Sequence, residues 1–331
     1  MNLNNMRLEV MKTIEKSIDG FLDKFLISPN KIWQPTDFLP NPQSDNFLEE
    51  VKGIREMSKD LNDDFWICMV GDTITEEALP TYESWVLNID GVYQKDKGVP
   101  ENGWAKWLRA WTGEENRHGD VMNKLLYLSG RVNMKEVEIT TQHLISDGFD
   151  IGTDRDPYKN FVYTSFQELA TYISHINVAK LAKEKGFSML ARMNKIIAGD
   201  EMRHHLAYTT FVKEIFKYDP SEMMLAFQHM MKHKIVMPAM HLRESFESKG
   251  SLFDQFSVVA QRAGVYTGFD YVSILEKLNK TWEIDKITNL TDEAEKARDY
   301  LLKLPARMYR ITERIVVPNS KHEFKWLTIP Q

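Results

Sequence analysis

Apolar side chains recur along this chain at the three- and four-residue spacing of helices and almost nowhere at the alternating spacing of strands. The pattern predicts an all-α protein. One long helix is expected from about Glu56 to Ile89, ending before Asp90-Gly91, and a second from an Asn102 N-cap to about Leu128, stopped at Ser129-Gly130. A third starts at Pro157 and stops at Gly186, and a fourth starts with Ser188 as N-cap and reaches Tyr218. Asp219-Pro220-Ser221-Glu222 then reads as N-cap, first-turn proline and acidic first turn of a further helix. At about 1.5 Å per residue the long segments measure roughly 40 Å, the length of a four-helix bundle. Shorter helices at 133–147, 252–263, 268–282 and 291–316 would cover it. The tail from Val316 to Gln331 holds Pro318, Phe324, Trp326 and Pro330 and predicts a short hairpin or an irregular cap. With no low-complexity segment and no linker, residues 1–331 read as one domain, 1–30 peripheral and 317–331 capping it.

Composition narrows the class. The chain has 331 residues, 43% of them apolar, enough to bury a sizeable core. Cys68 is its one cysteine, which excludes an intramolecular disulfide and a thiolate zinc cluster and fits a reducing cytoplasm. Met1 to Gly20 mixes acids and bases in an amphipathic pattern unlike a signal peptide, and no span reaches the roughly 18 apolar residues of a membrane helix. A soluble protein without a membrane partner is expected. The net charge of -6 argues against wholesale nucleic-acid binding, yet leaves room for local basic patches. Arg307, Arg310 and Arg314 fall on one expected helix face, and Lys232-His233-Lys234 ends another helix.

The chemistry is carried by two motifs. Glu114-Glu115-Asn116-Arg117-His118-Gly119 stands on the second long helix and Asp200-Glu201-Met202-Arg203-His204-His205 on the fourth, sharing the pattern acid-Glu-x-Arg-His. A glutamate three residues before a histidine shares its helix face, so a carboxylate oxygen and an imidazole nitrogen can meet one metal ion. One such pair arises by chance, but two with the same flanking acid and arginine do not. Two Glu-x-x-His helices supply four of the six side chains of a carboxylate-bridged di-iron site, and the other two helices should each add a glutamate. The preceding helices offer Glu76 or Glu77 and, in a mostly apolar run, Glu168, where an unpaired carboxylate is costly to bury. Glu76 precedes Glu115 by 39 residues and Glu168 precedes Glu201 by 33, as in an internal repeat of two helix hairpins about a pseudo-twofold axis. That symmetry would have Glu114 orient His204. Pro80 removes the hydrogen bond to the carbonyl of Glu76 and should distort the helix there.

Thr75 to Tyr82, Glu114 to Gly119, Tyr163 to Glu168 and Asp200 to His204 resemble the soluble acyl-acyl-carrier-protein desaturases, a ferritin-like di-iron family. Trp33 to Pro40, Trp107 to Trp111, Tyr127 to Val132 and Val258 to Tyr266 extend the likeness from about residue 31 to 328. The resemblance implies a ferritin-like bundle holding two Fe ions. Glu76, Glu115 and His118 would bind one, Glu168, Glu201 and His204 the other, with Glu115 and Glu201 bridging. It implies further that Asp200 links His118 to Trp33, a route for electrons from ferredoxin, and that Thr171 stands beside the O2 side. The other reading of Thr171 is a hydroxyl bonded back to its own helix. Trp85, Ile89 and Asn160 would line the deep half of an acyl channel. Trp85 and Asn160 are bulkier or more polar than a stearoyl-selective enzyme would need, which implies a shorter chain or a shifted double bond.

The activity implied is O2-dependent formation of a cis double bond in a fatty acyl chain on acyl carrier protein. Acyl carrier protein is acidic, so the two basic patches are its candidate contacts. A homodimer is also implied, and the short N-terminus, without a plastid-targeting extension, predicts a bacterial-type cytoplasmic enzyme. Another di-iron oxidase such as an acyl hydroxylase, or an iron storage or detoxification protein, would use the same six ligands.

Overall fold

The computed structural model describes residues 5–93, 102–319 and 322–327. Among them the backbone is helical, without a strand; Val132 and Leu327 form an isolated antiparallel bridge. The helices are α1 (Asn5–Glu15), α2 (Ile18–Phe25), α3 (Phe47–Lys59), α4 (Asp63–Glu77), α5 (Leu79–Val86), α6 (Gly103–Ser129) and α7 (Met134–Asp147). There follow α8 (Pro157–Glu184), α9 (Ser188–Tyr218), α10 (Pro220–His233), α11 (Phe253–Ala263), α12 (Gly268–Thr281) and α13 (Asp292–Thr312).

Four of them make the bundle. The hairpin of α8 and α9 is the most extensive pairing, α4 packs along α6, and contacts from α4 to α8 and from α6 to α9 close the ring. The hairpin turns at Gly186, whose φ of 78° suits glycine, and the carbonyls of Ala182 and Lys183 accept from Phe187 and Gly186. On α6 the buried residues Trp104, Trp107, Leu108 and Trp111 form a stripe at helical spacing that runs into Glu114, Glu115 and His118. The indoles anchor that face in the core, and the same face therefore carries the motif inward. Around the bundle, α7 and α11 cover α4, α12 covers α8, and α10 lies between the α8–α9 hairpin and α13. One cluster of buried apolar side chains, from Val10 to Trp326, runs through all of these elements. No described helix is long and apolar enough to cross a membrane.

Several boundaries differ from the sequence reading, each for a local reason. The helix expected from Glu56 to Ile89 is three helices. The Asn62 side chain accepts from the Phe65 backbone N–H at 2.9 Å and starts α4 afresh, and Pro80 ends it. The distortion expected from Pro80 is a full break: α4 stops at Glu77, and α5 starts at Leu79 with Pro80 in its first turn. The Tyr82 hydroxyl donates to the Thr75 carbonyl at 3.2 Å, which also accepts from the Ala78 N–H at 3.3 Å. Asn102 and Asp156 cap α6 and α8 as their positions require, accepting from Ala105 and Tyr158 at 2.8 and 2.9 Å. Ser188 is not a cap but the first residue of α9, with Phe187 before it and no side-chain cap bond. Asp219 likewise makes no cap bond, because its carboxylate accepts from the Tyr158 hydroxyl at 3.2 Å. The third long helix ends at Glu184 rather than Gly186, and the last helix at Thr312 rather than 316.

Residues 5–25, expected to be peripheral, form α1 and α2, which pack on α6 and α9. The described part of the tail is an irregular cap pinned by Trp326, which is fully buried, donates from Nε1 to Thr140 Oγ1 at 3.0 Å and offers its carbonyl to Asn133 N–H at 2.6 Å. Residues 1–4 and 328–331, Pro330 among them, lie outside the described residues.

Candidate metal centre

The last turn of α4 and the middles of α6, α8 and α9 bring Glu76, Glu115, His118, Glu168, Glu201 and His204 together inside the bundle. His118 Nδ1 lies 3.2 Å from Glu115 Oε2, 3.0 Å from Glu201 Oε1 and 3.7 Å from Glu76 Oε2. His204 Nδ1 lies 2.7 Å from Glu115 Oε1 and 3.6 Å from Glu168 Oε2. The donors fall into two sets, Glu76, Glu115, His118 and Glu201, and Glu115, Glu168, Glu201 and His204, each with its atoms within 4.8 Å of one another. Glu115 and Glu201 belong to both sets, the position of bridging carboxylates. Glu77 points elsewhere, accepting from Asn123 Nδ2 at 2.9 Å.

The imidazoles are held from behind by the acids that precede the glutamates in the two motifs. His118 Nε2 is 3.2 Å from Asp200 Oδ2, and His204 Nε2 is 3.0 Å from Glu114 Oε2. Each acid can accept an Nε2 proton, which leaves each Nδ1 as the nitrogen that faces the other carboxylates. Arg203 joins the two acids, donating to Asp200 Oδ1 at 2.6 Å, to Glu114 Oε2 at 2.9 Å and to the Phe25 carbonyl at 2.6 Å. The Ile27 N–H donates to Glu114 Oε1. Trp33 donates from Nε1 to Asp200 Oδ2 at 2.8 Å and lies parallel to the His118 ring, centroids 6.1 Å apart. The Thr171 hydroxyl bonds back to its own helix, 3.0 Å from the Glu168 carbonyl, and also lies 2.9 Å from Glu201 Oε2.

Inside this layer Glu115 Oε1, Glu201 Oε1, His118 Nδ1 and His204 Nδ1 are buried without a hydrogen-bond partner. Leaving such atoms unpaired is expensive, and two divalent cations would satisfy all four while balancing the four carboxylates. Carboxylate oxygens with imidazole nitrogens suit iron, manganese or zinc. The group is therefore a buried Glu/His cluster able to hold metal. Burial pulls both imidazoles down and pushes the carboxyls up, and their mutual attraction reverses it at most positions. His118 and His204 are raised, chiefly by the Glu115 charge, and Glu115 is held below the carboxylate range by His204 and His118. Burial raises Asp200 too, but the His118 hydrogen bond brings it down to about 2. The two terminal acids part company: burial and the Glu115 charge push Glu168 up, whereas the neighbouring His118 and His175 overcome burial and lower Glu76.

A cavity of about 50 Å³ opens on the cluster, walled by Leu79, Tyr82, Trp85 and Val86 of α5 with Trp111, Tyr163 and Thr164. Trp85 is boxed by Tyr82, Phe149 and Tyr163, at centroid distances of 5.8, 6.4 and 6.0 Å. Ile89 and Asn160, expected on the channel wall, are buried but do not line this cavity. Ile89 falls in the turn after α5 because the helix broke, and both amide atoms of Asn160 lack a partner. Of the arginines, Arg307 and Arg310 are exposed on α13, while Arg314 follows its end and is not on that helix face. Lys232 stands over the Tyr300 ring of α13 at 5.4 Å, and Lys234 lies past α10 with φ of 62°. The two basic patches thus sit on neighbouring helices.

Gly119 sets the spacing between α4 and α6 at the cluster. A Cβ there would lie 3.2 Å from the Glu76 carbonyl carbon and the Glu77 nitrogen. Gly119→Ala is expected to cost about 1–3 kcal/mol and to lower metal affinity by shifting Glu76, read by thermal unfolding and metal titration. Wild-type values for both would show that α4 gives way freely.

Comparison with known proteins decides the lineage. The family model described as fatty acid desaturase matches residues 6–328. The chain belongs to that family. Stearoyl-acyl-carrier-protein 9-desaturase 5, chloroplastic, of Arabidopsis thaliana is 49% identical over 93% of this chain and 77% of its own length. The chloroplastic stearoyl-acyl-carrier-protein 9-desaturases of Spinacia oleracea and Ricinus communis are also 49% identical, over the same 93%, covering 76% and 77% of their lengths.

Within this desaturase family member, sequence reasoning missed the role of Arg203 and the residues His175, Asn194, Asp72 and Ser174 beside Glu76. Arg203 was visible as the arginine repeated in both motifs, and His175 falls seven residues after Glu168, on the same helix face. The Phe25 and Ile27 contacts carry no side-chain signal at all, because they are made by backbone.

Proposed function

We propose that this protein is an acyl-acyl-carrier-protein desaturase that uses O2 and two iron ions to introduce a cis double bond into a bound fatty acyl chain. The observation that carries the reading is the pair of buried donor sets sharing Glu115 and Glu201 at the end of a cavity with apolar and aromatic walls. Relatives about half identical over 93% of the chain act on stearoyl carrier protein by name, which supports the substrate class. A bound iron pair supplies the two-electron activation of O2 that breaking an unactivated methylene C–H bond requires.

The chain's own residues do the rest. Glu76, Glu115 and His118 hold one ion and Glu168, Glu201 and His204 the other. Asp200 and Glu114 keep the imidazoles in the binding tautomer. The Thr171 hydroxyl, between Glu201 and the cavity, keeps a proton beside the reacting face. Leu79, Tyr82 and Trp111 exclude water and align the acyl chain. The contact sequence Trp33, Asp200, His118 is the inward route for electrons from a reduced ferredoxin. Arg307, Arg310 and Lys232, on adjoining helices, offer the acidic carrier protein a basic contact, and a second copy of the chain completes a homodimer. The iron-loaded protein, assayed with reduced ferredoxin, O2 and acyl carrier proteins bearing C14 to C18 chains, should yield monounsaturated product by mass spectrometry. Hydroxylated product would make it an acyl hydroxylase, and iron oxidation without acyl product a storage or detoxification protein.

Trp85 lines the described cavity on α5, and in this reading it sets how much chain extends beyond the metals. Trp85→Met is expected to shift kcat/KM toward chains two carbons longer by at least about tenfold, since each methylene is worth roughly 1–3 kcal/mol. An unchanged order of preference among the acyl lengths would exclude this role.

A further inference from the structure

Glu76 and Glu168 are counterparts in the internal repeat, yet their surroundings differ. Glu76 Oε1, on the side away from His118 Nδ1, faces His175 Nε2 at 3.2 Å, and His175 is 1% exposed. Its other nitrogen faces Asn194 Oδ1 at 3.1 Å, and Asn194 spends its amide N–H on the Leu190 carbonyl at 3.2 Å, which fixes that oxygen toward the ring. With an acceptor at each nitrogen, the ring cannot turn without losing hydrogen bonds. One turn before Glu76, Asp72 takes the Ser174 hydroxyl at 2.9 and 3.1 Å, a second fastening of α8 to α4 next to this contact.

Among the described residues, no such prop stands behind Glu168. Its carboxylate touches His204 at 3.6 Å and otherwise borders the cavity. The position that repeats His175 is Glu83, seven residues after Glu76, but the break at Ala78 turns α5 into the cavity wall instead.

Resting on the metal-centre reading, we propose that His175 is a positioning residue that pins Glu76 through one oxygen and leaves the other to its metal, while Glu168 stays free to change its binding mode. The two metal positions are then inequivalent by construction. The test titrates the apo protein with Co2+, followed by visible absorption, with His118→Ala marking the step that belongs to the Glu76 side. His175→Leu should weaken that step about 10- to 100-fold and leave the other unchanged. His175→Gln, which keeps an N–H donor, should recover most of the loss. Asn194→Leu touches neither metal nor ligand, should weaken the same step by a smaller factor, and decides the matter if His175→Leu does not fold. Equal weakening of both steps, or of neither, overturns the proposal. A wild-type chain that takes up no Co2+ overturns the metal-centre reading itself.

Discussion

Glu201→Ala should abolish both metal binding and desaturation, because Glu201 is one of two carboxylates common to the donor sets. Changes behind a ligand already cost about 10–100-fold in metal affinity, so removing a shared ligand should exceed about 100-fold at both positions. Metal analysis should find the variant nearly empty, and mass spectrometry should find the acyl chain saturated. The metal-free variant should nevertheless unfold at a temperature equal to or above that of the metal-free wild type, since one fewer carboxylate is buried without a counter-charge. Glu77→Ala, one residue from Glu76 but facing Asn123, should retain both metals. A Glu201→Ala protein with two metals per chain and unsaturated product would remove Glu201 from the centre.

Arg203→Met is expected to have the second largest effect. One guanidinium neutralises Asp200 and Glu114, whose side chains are 6% and 3% exposed, and also holds the Phe25 carbonyl. Without it the two buried acids lose the guanidinium that bridges them. Removing one partner of a buried pair costs roughly 3–5 kcal/mol, and the partial exposure of Arg203 places this case near 3 kcal/mol. Thermal unfolding should fall by roughly 5 °C and metal affinity by about 10–100-fold, in both steps rather than one. Arg203→Lys should recover only part, because an ammonium cannot reach all three acceptors in the planes a guanidinium serves. A variant with wild-type unfolding and metal uptake would mean that solvent carries the charge of the two acids.

Much of this was legible in the sequence because the informative residues lie on long regular helices. The six donors follow from two Glu-x-x-His pairs and two acids at repeat spacing, and α6, α8 and α9 follow from Asn102, Gly130, Pro157 and Gly186. The break between α4 and α5 was half visible. Pro80 marks its place, but periodicity could not show that the chain would resume as a separate helix and wall the cavity with Tyr82 and Trp85. Glu76 and Glu77 could not be separated by spacing alone, since adjacent residues on a distorted last turn differ only in what each meets: Asn123 in one case, the cluster in the other. Ile89 follows α5 and lies outside the lining of the described cavity. Contacts made by backbone, such as Phe25 and Ile27 on Arg203 and Glu114, leave no trace in residue type.

Those last contacts have a consequence for the order of assembly. The Phe25 carbonyl and Arg203 stand 178 positions apart, and Ile27 and Glu114 stand 87 apart. Each helix hairpin can form from neighbours in sequence, but each holds only half of the donors. The clasp of the segment at the end of α2 onto α6 and α9 joins only after large loops have closed, at an entropic cost that rises slowly with loop length. A nascent chain thus has no finished cradle to offer a passing cation until its earliest-made segment has come back to its latest bundle helix, so metal capture belongs to the end of folding and not to its beginning.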